Sequence, residues 1–254
     1  MKEMNVLQQV RTVRHLFSSI HQRYDFLNHF FSLGRDLAWR RFAAGKMRFF
    51  QTDRFLDVAT GTADLALEAL KKHPHIRVTG IDFVREMVAV GQRKITRHGY
   101  VSRIHLLCGD ALNLPFSDES FDVAGIAFGI RNIPQHIEAL KEMSRVLVTG
   151  GRVMVLEMYF PQRRSFRWLY SFYLNKVLPR TAHLFSRNPS AYYYLADSIT
   201  HFPAPDAFAG IMEKAGFVCI EGYPLSRGIA FLHIGIKPQG ETVCEQTVRR
   251  LISS

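Results

Sequence analysis

The chain of 254 residues is short of cysteine and contains only Cys108, Cys219 and Cys244. Three widely spaced cysteines exclude a disulfide scaffold and a CxxC metal site, so no metal is expected and a reducing compartment is the default. No segment free of Asp, Glu, Lys and Arg exceeds about nine residues, whereas a helix that spans a bilayer needs roughly 20 apolar residues. The first twenty residues also lack the apolar core of a secretory signal. We therefore expect a cytoplasmic protein without a membrane span.

Acidic residues are scarce relative to basic ones. The 22 Asp and Glu face 33 Lys and Arg, which gives a formal net charge of +11. A surplus of this size indicates a polyanionic partner, either nucleic acid or the anionic face of a membrane. The 47% of hydrophobic residues exclude a disordered or collagenous chain and allow a sizeable packed core.

Residues 54 to 158 alternate short β-rich runs with longer segments of helical period, which is typical of βαβ units. The predicted strands are 54–59, 76–82, 104–109, 121–127 and 152–158, and the predicted helices are 63–73, 84–98 and 134–147. The strands are nearly uninterrupted apolar runs, as in a parallel sheet that is covered on both faces. A later helix is predicted at 206–215, with Gly216 as its stop, followed by strands in 217–225 and 228–237. Their short connection predicts antiparallel neighbours.

The strongest local signal is Phe55-Leu56-Asp57-Val58-Ala59-Thr60-Gly61, an apolar strand that ends in small residues. In a doubly wound sheet, the first such turn forms the floor of the ligand crevice. Asp82 follows 21 residues after Gly61 at the end of the next strand, where a carboxylate accepts hydrogen bonds from ribose hydroxyls. A dinucleotide would need GxGxxG for its pyrophosphate, but this turn has one glycine, and Asp57 and Asp64 flank it. The turn therefore favours S-adenosylmethionine, which has a ribose, no phosphate and cationic groups.

Further motifs follow in a fixed order. The general ones are DxAxGTxD, GIDF, GDAxxLPF, SFD and RVLxxGGR, and the more specific ones are RYDFLN at 23–28, SLG at 32–34, AFGIRN at 127–132, YYYLADSI at 192–199 and GIAFLH at 228–233. Over about residues 14–238, this order resembles the class I S-adenosylmethionine methyltransferases and, more narrowly, the C-methyltransferases of ubiquinone and menaquinone biosynthesis. The chain departs from the family pattern at Ala63, where a second glycine is usual. The added methyl group either crowds the methionine end of the cofactor or is tolerated by the loop.

The resemblance implies an α/β fold: a doubly wound, mostly parallel seven-stranded sheet with helices on both faces and an antiparallel last strand. It also implies methyl transfer from S-adenosylmethionine to a ring carbon of a prenylated demethylquinol. It places Tyr24, Arg131 and Asn132 at the reacting ring. Because a guanidinium stays protonated, we expect Arg131 to stabilise developing oxyanion charge, while Asn132 and Tyr24 orient water or the substrate oxygen. The competing interpretation of Arg131 is a structural ion pair. The expected cofactor-binding residues are Asp57, Gly61, Thr62, Asp82, Met87, Asp110 and Ala111.

His233 is a candidate proton acceptor, although a lone histidine in an apolar strand is more often a core residue. Neither the quinone nucleus nor the prenyl length follows from these residues. Both benzoquinol and naphthoquinol acceptors therefore stay open.

Two segments outside the βαβ alternation are expected to cover the site. Residues 1–50 are predicted to form a helical cover and residues 51–238 the methyltransferase domain, which carries a helical insert at about 159–200; the tail, 239–254, is expected to be flexible. The segment 158–196 contains no Asp or Glu and is rich in aromatic residues. Such a segment is typical either of helix packing or of contact with a membrane surface. It also makes a homodimer plausible.

Three other functions are consistent with parts of the sequence. One is a class I methyltransferase for another small phenolic or polyketide acceptor, against which the specific motifs argue. The second is a basic RNA-binding methyltransferase, which the absence of a recognised RNA-binding module disfavours, so no nucleic acid partner is expected. The third is a noncatalytic subunit that binds S-adenosylmethionine. The favoured prediction is an enzyme held peripherally against anionic lipid on the inner face of the cytoplasmic membrane.

Overall fold

The structure, a computed structural model, describes residues 6–21, 24–161, 164–172 and 190–239. Its strands are β1 (Arg54–Val58), β2 (Arg77–Asp82), β3 (Ile104–Cys108), β4 (Phe121–Ala127), β5 (Leu147–Met158), β6 (Val218–Leu225) and β7 (Ala230–Ile236). They form one sheet in the order β3-β2-β1-β4-β5-β7-β6. Neighbours among β1 to β5 are parallel, and β7 runs antiparallel to both β5 and β6. The predicted fold class is confirmed.

Helices lie on both faces of this sheet and over one edge. They are α1 (Val6–Ile20), α2 (Tyr24–Phe31), α3 (Arg35–Lys46), α4 (Asp64–Lys72), α5 (Arg85–Arg97), α6 (His136–Val146), α7 (Arg164–Phe172), α8 (Ser190–His201) and α9 (Pro205–Lys214). Short 3-10 helices span Ile130–Asn132 and Ser226–Gly228. Because side chains alternate along a strand, Phe55 of β1 packs in one core cluster and Leu56 in the other. The sheet is therefore buried on both faces, as its apolar strands predict.

The edges of the elements show where local backbone geometry intervenes. The strand predicted to begin at residue 152 begins at Leu147 in the structure, because Leu147 already pairs with Phe121 of β4. Residues 148–151 interrupt the pairing, which becomes regular from Arg152 onward. Gly150 lies in this irregularity with φ +79°, a conformation that favours glycine. Gly216 has φ +95° after α9 and ends that helix as predicted. Cys108 is a free, exposed thiol.

The cover over the site is helical where the structure describes it. Helices α1, α7 and α8 share a small apolar cluster made by Leu16, Tyr170, Ala196 and Ile199. Parts of the predicted insert, 162–163 and 173–189, lie outside the described residues, as does the predicted tail beyond Gln239. Among the described residues, no helix is long and apolar enough to cross a bilayer.

Candidate active site

A cavity opens at the carboxyl edge of the sheet, around the ends of β1, β2, β3 and β4. The strand order reverses between β1 and β4, which is where doubly wound sheets bind ligands. The sequence-predicted residues that line the cavity are Tyr24, Gly61, Asp82, Met87, Asp110, Ala111 and Asn132. Apolar side chains from α1, Val13 and Phe17, and from the loop after β4 complete its walls. Residues predicted separately for cofactor and acceptor thus share one cavity.

Gly61 and Asp82 form the floor of the cavity. Gly61 has φ +56°, and its N–H donates to Asp82 Oδ2 at 2.8 Å. The N–H of Val84 donates to Asp82 Oδ1, also at 2.8 Å. Burial raises the pKa of the Asp82 carboxyl to about 6, although these two bonds oppose the shift. A carboxylate oxygen can accept a second hydrogen bond, so Asp82 fits a ligand that brings hydroxyl donors.

Asp57 lies behind the glycine loop and does not line the cavity. Its Oδ2 accepts hydrogen bonds from Thr60 Oγ1 at 2.7 Å and from the N–H of Ala66 at 3.2 Å. The carboxyl is buried, and burial raises its pKa to about 7. These contacts assign Asp57 to the ordering of the loop, and direct contact with a cofactor stays a prediction.

Ala63 adopts φ +68° immediately before α4, in the left-handed region where glycine is usual. Its methyl group is fully buried in the core cluster around α4, and Ala63 does not line the cavity. The Ala63 methyl group was expected either to crowd the methionine end of the cofactor or to be tolerated by the loop. Its burial away from the cavity fits the second outcome.

Met87, Asp110 and Ala111, which are predicted to border an adenine, all line the cavity. Met87 lies on the first turn of α5 and is 2% exposed. Asp110 Oδ1 accepts the N–H of Leu112 at 2.9 Å, which shapes the loop after β3. The placement of all three agrees with their predicted role, which stays a prediction.

A network of charges joins the glycine loop to the helical cover. Lys94 Nζ of α5 lies 2.6 Å from Asp25 Oδ2 of α2 and 2.7 Å from Asp64 Oδ1 of α4. Thr62 Oγ1 donates to Asp25 Oδ1. Thr62 is 2% exposed and does not line the cavity, so its observed contacts tie α2 to the loop.

Two of the three residues predicted at the reacting ring line the cavity. Tyr24 and Asn132 do so, whereas Arg131 does not line it but is close enough for its charge to act on Tyr24. Arg131 Nη1 lies 2.6 Å from Glu157 Oε1 and donates to the Phe128 carbonyl at 2.6 Å. Within the described part of the chain, its buried Nε has no hydrogen-bond partner. Arg131 thus forms the ion pair of the competing interpretation and retains its Nε–H as an unused donor.

The amide of Asn132 is oriented from the cover. Tyr194 of α8 donates its hydroxyl to Asn132 Oδ1 at 3.0 Å. This bond occupies the amide oxygen and leaves the amide N–H groups as donors. Burial raises the pKa of Tyr24, while the positive charge of Arg131 opposes that shift. The side chains at this end of the cavity therefore act as hydrogen-bond donors.

His233 lies away from the cavity. It is 2% exposed on β7, and its Nε2 contacts the Pro205 carbonyl at 3.1 Å. Its Nδ1 faces the Tyr159 hydroxyl at 3.3 Å, and the rings of Phe208 and Phe231 pack against it. Burial lowers its pKa to about 4. This environment fits the core histidine.

Sequence reasoning missed several residues around the site. Gln135 lines the cavity with a buried Oε1 that has no partner among the described residues. Glu157 could have been found from the sequence, because it is the only charged residue in the apolar run 153–158. Tyr194 could have been found as part of the YYYLADSI motif. Lys94 had no such signal, because lysines are ordinary on amphipathic helices.

Comparisons with known proteins agree with this geometry. A model of the ubiE/COQ5 methyltransferase family matches residues 4–237. The chain is 45% identical over 226 residues to the ubiquinone/menaquinone biosynthesis C-methyltransferase UbiE of Geotalea daltonii, covering 89% of this chain and 96% of that protein. It is 43% identical over 223 residues to the demethylmenaquinone methyltransferase of Thermus thermophilus, covering 88% and 100%. A crystal structure of a SAM-dependent methyltransferase from Thermotoga maritima has a TM-score of 0.61 at 21% identity, covering 88% of this chain and 98% of that one, and shows the shared fold.

Proposed function

The chain belongs to the ubiE/COQ5 methyltransferase family, and on that basis we propose that it methylates a ring carbon of a prenylated demethylquinol, using S-adenosylmethionine. The observation that carries the proposal is the single cavity that joins the Gly61 and Asp82 floor to Tyr24 and Asn132. Its largely apolar walls suit a quinol ring. The names of the relatives support both ubiquinone and menaquinone precursors as acceptors.

The residues of the floor fit the cofactor. Asp82 offers carboxylate oxygens to ribose hydroxyls, Gly61 allows close approach, and Met87 covers the adenine side. S-adenosylmethionine supplies an electrophilic methyl group on a sulfonium centre. The residues of the cavity must hold the acceptor carbon in line with the methyl group and its sulfur, and must exclude water. Holding reactants in this orientation contributes up to about 7–11 kcal/mol of activation free energy in favourable models.

The acceptor must also become more nucleophilic. A phenolic hydroxyl has a pKa near 10, so the site needs a positive field that favours its ionised form. Arg131, whose charge acts on Tyr24, supplies that field, and a water molecule takes the hydroxyl proton, because a guanidinium stays protonated. The ring carbon that receives the methyl group then loses its hydrogen as a proton, which returns to the oxygen and restores the aromatic quinol. Glu157 is 0% exposed and fixes Arg131 through the 2.6 Å contact. Asn132, oriented by Tyr194, directs its N–H groups to the acceptor oxygen.

The test is turnover of purified protein with a demethylmenaquinol and with a demethylated benzoquinol, with the product identified by mass spectrometry. Replacing Arg131 with Ala should lower kcat at least about 100-fold, as for loss of a group that stabilises an oxyanion. Because Arg131 does not line the cofactor floor, the affinity for S-adenosylhomocysteine should stay within about threefold, well under the 1.4 kcal/mol of a tenfold change.

Arg41→Ala is the matched control, since Arg41 pairs with Glu68 and is 68% exposed away from the cavity. Unchanged turnover in Arg131→Ala would remove Arg131 from the reaction. No turnover of either quinol by the wild-type chain would contradict the proposed function. Mass spectrometry of the quinones that accumulate when the protein is deleted identifies the ring of the acceptor as a benzoquinol or a naphthoquinol.

Peripheral contact with anionic membrane is part of the proposal. It is supported by α7, where Tyr170 packs inward on the cover while Trp168 and Phe172 are 72% and 51% exposed. Arg167 is exposed on the same helix. Aromatic and basic side chains together are typical of a membrane interface. The homodimer stays a prediction that analytical ultracentrifugation tests.

A further inference from the structure

A second concave site lies at the opposite edge of the sheet from the cavity. Four segments line it: Arg48, Phe49 and Phe50 after α3, His73 and His75 after α4, Gly150 and Arg152 in β5, and Ile236 in β7. We call this site the basic groove. It lies where β1 and β2 begin, whereas the cavity lies where they end, so roughly 20 Å of strand separates them. The volume of the groove is about 520 Å³, within the range of small-ligand sites.

The groove carries positive charge without an internal counter-ion. None of the residues that line it is acidic. Elsewhere, arginines such as Arg40, Arg131 and Arg145 pair with carboxylates. In the part of the chain that the structure describes, no carboxylate pairs in this way with Arg48 or Arg152. The two guanidinium groups are therefore electrostatically unbalanced.

Arg152 shows this imbalance most clearly. Its Nη1 contacts the Lys46 carbonyl at 3.3 Å, which is a weak hydrogen bond. Its pKa is lowered, first by partial burial and then by the positive charge of Arg48, and Glu221 compensates only in part. A bound anion would relieve this repulsion.

Two histidines also line the groove and pack against Phe49. His73 Nε2 contacts the Ala44 carbonyl at 2.9 Å, and its ring packs edge to face with Phe49 at 5.1 Å. His75 faces Asp53 at 3.6 Å, but both side chains are more than half exposed, so this contact is weak. Phe50 is 56% exposed at the mouth of the groove. The basic groove thus combines basic and aromatic side chains.

We propose that the basic groove binds a phosphate-type oxyanion carried by an organic group. The planar guanidinium groups of Arg48 and Arg152 match the oxygens of a phosphate, and Phe49 and Phe50 contact the organic part. A groove of this size exceeds what an inorganic ion needs. The same chemistry occurs in a soluble phosphate ester and in a phospholipid headgroup.

Two probes with the same headgroup separate these sources. Glycerol 3-phosphate is titrated calorimetrically at low salt, and cosedimentation is measured with phosphatidylglycerol vesicles. Arg48→Gln and Arg152→Gln should each weaken binding of the relevant probe at least about tenfold, which corresponds to 1.4 kcal/mol. If the two substitutions weaken the binding of glycerol 3-phosphate, the ligand of the groove is a soluble phosphate ester. If they weaken only the binding of vesicles, the ligand is a phospholipid headgroup.

Arg93→Gln is the matched control, because it removes the same charge from an exposed position on α5 outside the groove. Arg48 is exposed, so its substitution should leave the melting temperature unchanged and separates binding from folding. Binding of neither probe by the wild-type protein overturns the proposal. Equal weakening by Arg93→Gln also overturns it, since binding would then reflect net charge. Both readouts are independent of methyl transfer.

Discussion

Asp82 is the residue at which proton binding and ligand binding compete. Burial raises its pKa to about 6, whereas an aspartate in the unfolded chain has a pKa near 3.9. The folded protein therefore holds more protons between about pH 4 and 6, and this group contributes less stability as the pH rises through that window. Ligand binding has the opposite sign, because hydroxyl donors bind the ionised carboxylate.

We predict that the affinity for S-adenosylhomocysteine increases with pH. With the pKa of Asp82 at about 6, the ionised fraction rises roughly tenfold between pH 5 and pH 7, and the affinity should follow it. Binding near pH 6 should release protons, since the bound ligand favours the ionised form. Isothermal titration in buffers of different ionisation enthalpy measures both effects.

Asp57 provides the control for this prediction. Its pKa is also raised, to about 7, but its carboxylate bonds to the loop and does not line the cavity. Asp57→Asn keeps a hydrogen-bond acceptor for Thr60 and should retain the increase around pH 6. Asp82→Asn should bind weakly at every pH. A full pH dependence in Asp82→Asn would show that another group is responsible.

At the scale of elements, Lys94 connects three helices around the glycine loop. Its ammonium group joins Asp25 of α2 to Asp64 of α4, and it is 20% exposed. The residue before Asp25 is Tyr24, which lines the cavity and approaches the backbone of Gly61. His29, Asp36 and Asp64 also converge here, but Arg40 and Lys94 neutralise the two carboxylates, so the cluster acts as an ion-pair network.

We predict that Lys94→Met loosens α2 and slows methyl transfer. The substitution removes the ammonium group that pairs with both Asp25 and Asp64, which costs about 2 kcal/mol. Amide exchange in α2 should then be roughly 30-fold faster, while exchange in β1 and β4 stays unchanged. Hydrogen exchange followed by mass spectrometry measures this, and kcat should fall more than the affinity for S-adenosylhomocysteine.

Lys71→Met is the matched control, because Lys71 pairs with Glu68 of the same helix, is 47% exposed and does not contact α2 through this pair. It should change neither exchange in α2 nor kcat. If α2 exchanges at the wild-type rate in Lys94→Met, the network does not position Tyr24.

Elements whose signals are local could be predicted from the sequence. The strands β1 to β4 agree with the apolar runs to within one residue at each end, and β1 stops before Ala59, where φ turns to +50°. Gly61 and Asp82 were predictable because strand ends of a parallel sheet meet at one edge. The start of β5 at Leu147 was missed, because the residues before Arg152 pair irregularly with β4 and so lack the pattern of a regular strand. The contacts of Lys94 were missed because ion pairs between distant helices have no sequence period.

At the scale of the whole molecule, the positive charge is distributed unevenly. The cavity is lined by Asp82 and Asp110 and by no Lys or Arg among the described residues. The net charge of +11 therefore lies on other surfaces, including the basic groove and the helical cover. Because α7 shares an apolar cluster with α1, whose Val13 and Phe17 line the cavity, its exposed aromatic residues belong to the helical cover over the site. A membrane that contacts this layer would present a prenylated acceptor to the cavity.

We predict that the double variant Trp168→Ser and Phe172→Ser binds anionic vesicles at least about tenfold more weakly, because burial of each large apolar side chain contributes roughly 1.5–3 kcal/mol. Cosedimentation with phosphatidylglycerol vesicles measures this, and binding to neutral vesicles should be weak for both proteins because the basic residues lack a partner there. Turnover of a long-chain acceptor in vesicles should fall, while turnover of a short-chain soluble acceptor stays unchanged, since neither residue lines the cavity. Val101→Ser, at an apolar side chain that is 47% exposed between α5 and β3, is the control and should bind vesicles like the wild type. Equal vesicle binding by the double variant and the wild type would show that α7 is not the membrane contact.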